Sequence, residues 1–216
     1  GPGEIIYRIV AEKDAETPRG IGIGDTLAEL QAAYPDLIYE NGSYSYDSEP
    51  KYNRCYAYAP DDKTSNYIQF YLYEKRITKI EVGDGLDMRP GTWQPYLDIF
   101  GKKDIYKEID NVTSKGMDTK YFYISDSGEE ETLLDIHSRS VEEKDIDNDG
   151  MTELVVYLTG NMQAIGVYDF VDGEISFIDI NAALQCYYSE FAGNMGNIKH
   201  EYVNCIEVTF KNEDGT

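Results

Sequence analysis

The chain has 216 residues, 41 Asp plus Glu against 19 Lys plus Arg, and a formal net charge of −22. That charge argues against nucleic acid, whose binding rests on clustered Lys and Arg, and disfavours attachment to anionic lipid. Hydrophobic residues make up 41% of the chain, enough for packed cores. No run approaches the roughly 18 consecutive apolar residues of a membrane-spanning helix, and the length suits one or two domains. The opening Gly1-Pro2-Gly3-Glu4 lacks the basic stretch and apolar core of a signal peptide, and reads as a mature start with any targeting segment removed.

Residues 4–12 read as a strand and the polar residues 14–19, around Pro18, as a linker. Thr26 and Glu29 fit the Thr-x-x-Glu capping box that opens a helix. Leu27, Leu30 and Tyr34 share one face of that helix, and Pro35 ends it. Residues 54–59, 67–73 and 76–82 read as strands, the last two joined by the short Glu74-Lys75 connection. Ile68, Phe70 and Leu72 form an apolar face, and alternation puts the tyrosines on the opposite, wet one. Ten tyrosines crowd residues 34–73. Such rings offer rigid contact area for a protein or glycan, and they also suit half-buried sheet faces.

Residues 83–91 hold three Gly, two Asp and Pro90, and mark a domain boundary. The expected division is 1–88, a helix-plus-meander unit, and 89–216, a β-rich unit. Residues 92–101 are expected to open the second unit with a short helix, because Trp93, Leu97 and Phe100 share a face and Gly101 suits its C′ position. An offset of 67 aligns Gly24 with Gly91, Leu30 with Leu97, Ile38 with Ile105 and Tyr39 with Tyr106, the pattern of a degenerate tandem repeat. Beyond it, 121–125, 132–141, 152–158, 164–170 and 174–180 read as strands, with Asp172-Gly173 as a two-residue hairpin turn. Residues 181–192 read as a helix, with Asn181 as N-cap and Leu184, Tyr188 and Phe191 on one face. Residues 202–210 close the chain as a strand. Meanders with few helices, lacking regular strand–helix alternation, define an α+β class. Its antiparallel strands fall in two units, each opened by a short amphipathic helix, plus a C-terminal helix and strand.

The three cysteines, Cys55, Cys186 and Cys205, are too few for a disulfide scaffold. Either Cys186 and Cys205 pair, or all three are buried thiols. The absence of Cys-x-x-Cys argues against a thiolate zinc site.

Residues 145–153, Asp-Ile-Asp-Asn-Asp-Gly-Met-Thr-Glu, carry the sharpest chemistry. Carboxylates stand at positions 1, 3, 5 and 9, and Gly150 at position 6 permits a sharp turn. Calcium takes six to eight hard oxygen ligands at about 2.3–2.6 Å. The expected ligands are Asp145, Asp147, Asp149, the Met151 carbonyl and Glu153, with water completing the shell. The loop is not an EF-hand, which needs Glu at position 12 where Val156 stands. Without an ion, Asp-Asn-Asp-Gly is also sound turn chemistry.

Residues 144–178 resemble the FG-GAP or VCBS-type calcium hairpin of extracellular β-rich proteins. The motifs that carry the likeness are Asp145-Ile-Asp-Asn-Asp-Gly-Met-Thr-Glu-Leu-Val-Val156, Val167-Tyr-Asp-Phe170 and Asp172-Gly-Glu-Ile175. One copy is present, so the resemblance implies a single blade-like hairpin and not a propeller. Residues 20–82, with Gly24-Asp-Thr-Leu-Ala-Glu-Leu-Gln-Ala-Ala-Tyr-Pro35 followed by Arg76-Ile-Thr-Lys-Ile-Glu-Val82, resemble the helix-plus-meander domain of β-lactamase inhibitor protein and of outer-membrane assembly and secreted Firmicutes lipoproteins. That likeness implies an extracytoplasmic binding or assembly role, with the chain secreted or lipid-anchored at a bacterial cell surface.

Catalytic motifs are absent. His137 and His200 stand near no Gly-x-Ser-x-Gly or His-Glu-x-x-His and read as solvated or hydrogen-bonded. Gly20-x-Gly-x-Gly24 precedes a helix but satisfies no phosphate-loop pattern. The expected function is a non-enzymatic binding protein for a cell-surface protein or glycan, with one structural calcium. The alternative is a secreted, glycosidase-like hydrolase, which would be decided by the spatial separation of two carboxylates.

Overall fold

A computed structural model describes residues 8–40, 42–45, 49–60, 66–84, 97–147, 149–160, 164–194 and 204–210. They form antiparallel strands with two short helices. No helix among them is long and apolar enough to cross a membrane. The chain divides into two units, Gly1–Tyr96 with Tyr106–Asp110, and Leu97–Ile105 with Asn111–Thr216.

In the first unit, β1 (Arg8–Ala11), α1 (Leu27–Ala33), β2 (Ile38–Glu40), β3 (Arg54–Tyr58), β4 (Asn66–Tyr73) and β5 (Arg76–Asp84) follow in order. The strands form one antiparallel sheet, ordered β1-β5-β4-β3-β2. The capping box forms as expected. Glu29 N donates to Thr26 Oγ1 at 3.3 Å, and Thr26 N donates to Glu29 Oε2 at 2.8 Å. Thr26→Ala should cost about 1 kcal/mol in urea unfolding, because an orphan helix amide loses its acceptor. Glu74 and Lys75 both adopt positive φ, 49° and 60°, the primed two-residue turn that matches strand twist.

Leu30 of α1 and Tyr34, which caps its C-terminus, pack with Phe70, Leu72, Ile77 and Ile80. The Arg19 guanidinium lies 4.6 Å from the Tyr34 ring and 4.8 Å from the Tyr58 ring, and donates to the Ala33 carbonyl at the helix end. The opposite sheet face is buried too, and this corrects the wet tyrosine face. Tyr67 and Tyr71 do point away from Phe70 and Leu72, but they are only 7% and 8% exposed. They serve a buried polar network. Tyr67 donates to Glu81 Oε1 at 2.7 Å, Tyr71 donates to Gln69 Oε1 at 3.1 Å, and Arg8 Nε pairs with Glu81 Oε1 at 3.0 Å.

Burial, followed by the hydrogen bond to Glu81 and its charge, pushes the Tyr67 phenol up to about 12. Burial raises Tyr71 further. A raised folded value means the fold favours the neutral phenol. Its stabilisation is intact below the usual phenol value near 10 and is lost as pH rises from there through about 12. Urea midpoints should therefore fall between pH 9 and 11.5, roughly, and Tyr67→Phe should flatten that fall. Tyrosinate absorbance followed in parallel should show a late step that coincides with unfolding.

In the second unit, β6 (Leu97–Ile99), β7 (Lys102–Thr113), β8 (Gly116–Ile124) and β9 (Glu130–Ser138) form one sheet in that order. The middle of β7, Tyr106–Asp110, groups with the first unit. A second sheet is ordered β10 (Ser140–Lys144), β11 (Glu153–Tyr157), β12 (Ile165–Val171), β13 (Glu174–Asp179). After α2 (Ile180–Leu184), β14 (Tyr188–Asn194) and β15 (Asn204–Thr209) pair as a ribbon. The core gathers Ile99, Phe100, Ile105, Tyr121, Ile136, Leu154 and Val156. Asp172 and Gly173 form the expected turn, both at positive φ.

Several expectations differ from the structure. The helix over 92–101 is not found: Leu97–Ile99 is strand, and Phe100 and Gly101, at φ 56° and 66°, form a two-residue turn into β7. Residues 92–96 lie outside the described residues. Gly101 suited a helix stop because both settings demand positive φ. The tandem repeat fails with it, since Leu30 is helical and Leu97 is in a strand. The helix over 181–192 shrinks to α2, capped by Asp179, whose Oδ1 accepts from Ala182 N at 2.9 Å. Gln185 turns left-handed and Tyr188 starts a strand. Asn181 instead accepts from the Ser189 hydroxyl, while Ser189 Oγ accepts from Ile165 N at 3.0 Å. Tertiary pairing overrides local spacing in this segment. Cys55 is a buried free thiol and Cys186 a half-buried one, and the Cys205 side chain lies outside those described.

Candidate metal centre

The Asp-rich loop joins β10 to β11, which pair antiparallel from Ser140↔Tyr157 to Lys144↔Glu153. Its carboxylates are oriented by backbone amides. Asp149 N donates to Asp147 Oδ1 at 3.0 Å, Gly150 N to Asp145 Oδ2 at 3.1 Å, and Met151 N to Asp149 Oδ1 at 2.7 Å. Gly150, at φ 90°, makes the reversal that a β-carbon would strain. Asp145, Asp147 and Asp149 each bring one oxygen within 4.8 Å of the others. Two oxygens on opposite sides of one calcium lie about 4.6–5.2 Å apart, twice the bond length. The three carboxylates therefore stand at separations a single shell can span. The donors are all hard oxygens, which suits calcium over a transition metal.

Glu153 opens β11 and is 2% exposed. Its Oε2 accepts from Ile146 N at 2.8 Å, and it stays outside the mutual cluster of the three aspartates. Burial pushes its carboxyl up to about 7. The Ile146 amide opposes that shift, and the charges of Asp147, Asp169 and Asp149 add to it. Among the described residues, no Lys or Arg forms an ion pair with it. Asp169 is the group that sequence reasoning missed. The pairing Leu154↔Tyr168 places it on β12 beside Glu153, and like charges across strands are destabilising unless neutralised. Its only sequence signal was an acid within Val167-Tyr-Asp-Phe170, which register alone turns toward the loop.

Met151 is anchored through its amide. The neighbouring Thr152 carbonyl accepts from Phe100 N at 2.9 Å, tying the loop to the β6–β7 turn. Away from the loop, His137 Nδ1 lies 2.6 Å from Asp118 Oδ1, and Asn111 Nδ2 donates to Asp118 Oδ2 at 2.7 Å. The Asn111 bond, then that of His137, holds the Asp118 carboxyl below its usual value. This His–Asp pair lies on the surface, and no hydroxyl or thiol among the described residues hydrogen-bonds the imidazole. His200 lies outside the described residues. Comparisons with protein-family models, with curated proteins and with solved structures found no match to this chain.

Proposed function

We propose that this chain is a non-enzymatic, extracytoplasmic binding protein whose second unit holds one structural calcium in the loop from Asp145 to Glu153. The observation that carries the reading is the buried Glu153 carboxylate beside three converging aspartates, with no basic residue among the described residues to neutralise it. A buried carboxylate is costly unless paired or bound to a metal. Asp145, Asp147 and Asp149 would hold the ion, with the Met151 carbonyl and Glu153 closing the shell. When bound, the ion supplies positive charge that cancels the repulsion among these acids.

The hairpins β10–β11, β11–β12 and β12–β13 around the loop support the likeness to the FG-GAP or VCBS-type hairpin. α1 followed by an antiparallel meander supports the inhibitor-like reading of residues 20–82, and with it the secreted or lipid-anchored cell-surface location. Sites of extracellular modules bind calcium at about 0.1–1 mM and are filled there. The acidic composition suits a basic protein partner or a glycan with cationic groups. The buried first-sheet tyrosines take no part in that contact. A glycosidase-like hydrolase would need a raised-pKa carboxyl facing a cleft. Glu153 has the raised value, but its burial and its bond to Ile146 N favour coordination.

Terbium luminescence tests the site. Terbium should bind the chelator-treated protein and be displaced by calcium, and Asp147→Asn should weaken binding at least about tenfold, in line with the loss of a charged ligand. Asp126→Asn, outside the loop, should leave it unchanged. Equal binding by wild type and Asp147→Asn would place the ion elsewhere.

A further inference from the structure

We infer that the calcium loop is a clasp on the β6–β7 turn, so that ion binding governs the order of Phe100 and Gly101, an element outside the loop. The inference rests on the calcium reading above.

The turn is held against its local preference. Phe100 adopts φ 56°, which a side chain disfavours, yet the residue is only 2% exposed. Two things hold it there. Its ring packs in the core with Ile99, Tyr121 and Leu154, and its amide donates to the Thr152 carbonyl at 2.9 Å. Gly101 lies against the same loop, where an added β-carbon would meet Met151 Sδ at 3.4 Å.

Thr152 stands between the two residues that close the ion's shell. Met151 is bonded to Asp149 Oδ1, and Glu153 is bonded to Ile146 N. Glu153 is more than nine-tenths buried, and among the described residues no Lys or Arg pairs with it, so the site is marked by more than a group of surface acids. Without a cation, the carboxylates of Asp145, Asp147 and Asp149, with oxygens within 4.8 Å of one another, repel and favour opening of the segment 149–153. Opening removes the acceptor of the Phe100 amide and frees the turn. With the ion in place the segment is fixed, and the turn with it. Linkage makes the effect reciprocal: strain placed on the turn must weaken calcium.

Hydrogen exchange on the full chain, chelator-treated and then calcium-loaded, reads this directly. Terbium binding on the same samples reports occupancy. Calcium should slow exchange of the Phe100 amide by about tenfold or more, since exchange follows local opening. β4 should be unchanged, and Asp147→Asn should abolish the protection. Gly101→Ala, which puts a methyl in a left-handed position against Met151, should weaken calcium about threefold or more. Calcium bound with Phe100 exchange unchanged overturns the clasp and leaves the calcium reading standing. No calcium bound overturns both. The wild-type exchange comparison decides the matter even if Gly101→Ala does not fold.

Discussion

Calcium at a hundredfold excess over its dissociation constant should stabilise the loop's unit by about 2.7 kcal/mol relative to chelator-treated protein. For a chain of this size that is roughly 5–11 °C in the midpoint, at about 2–4 °C per kcal/mol. The shift belongs to the transition of the second unit, because two units need not melt together. Magnesium, which keeps its waters and rarely takes a cage of carboxylates, should give little of it. Asp147→Ala should abolish the calcium shift. In chelator the variant should be no less stable than wild type, because removing one of several repelling acids relieves strain that only the ion relieves in the native loop. An ordinary packing residue would show the opposite, with a lower midpoint in chelator.

Arg54→Ala should destabilise the first unit by about 3–5 kcal/mol, because it strips one partner from a buried ion pair and leaves the other charged. Arg54 is 2% exposed, and its guanidinium contacts Glu108 Oε2 through Nε at 2.6 Å and a terminal nitrogen at 2.5 Å. Asn53 Nδ2 reaches Glu108 Oε1 at 2.8 Å and Asp110 Oδ2 at 3.3 Å. Together these groups hold Tyr106–Asp110 in the first unit, with help from the Tyr39 hydroxyl, which donates to the Lys107 carbonyl at 3.0 Å. The double variant Arg54→Met, Glu108→Gln should recover most of the loss, since replacing both charges by neutral groups of similar volume is often close to neutral. Urea unfolding of wild type and the two variants separates these outcomes. An Arg54→Ala midpoint equal to that of wild type would mean the pair contributes nothing.

Where local chemistry decided the structure, it was legible in the residues. Thr26 and Glu29 can satisfy each other only at a helix start. Glu74-Lys75 and Asp172-Gly173 leave room only for tight turns between strands. The alternating acids before Gly150 specify a reversal with converging carboxylates whatever lies around it. Long-range pairing decided the rest. Trp93, Leu97 and Phe100 have helical spacing, yet Leu97–Ile99 pairs with β7. β7 itself escaped notice because Ile105 and Ile109 sit four apart among charged residues, matching neither a clean strand nor an amphipathic helix. Tyr188 and Phe191 suggested a helix face until β15 supplied a strand partner. The tyrosine face looked wet because alternation separates two faces without saying that both are buried. Asp169 belongs to the site only through the β11–β12 register, which no local pattern reveals.

Isothermal titration of chelator-treated protein reads directly whether a calcium ion is held between β10 and β11. One calcium should bind per chain, with a dissociation constant at or below about 1 mM. Asp147→Asn should weaken that binding at least about tenfold, and magnesium should give little response. A chain that takes up no calcium, or takes it equally well without Asp147, would contradict the calcium reading and reduce residues 145–153 to an acidic turn.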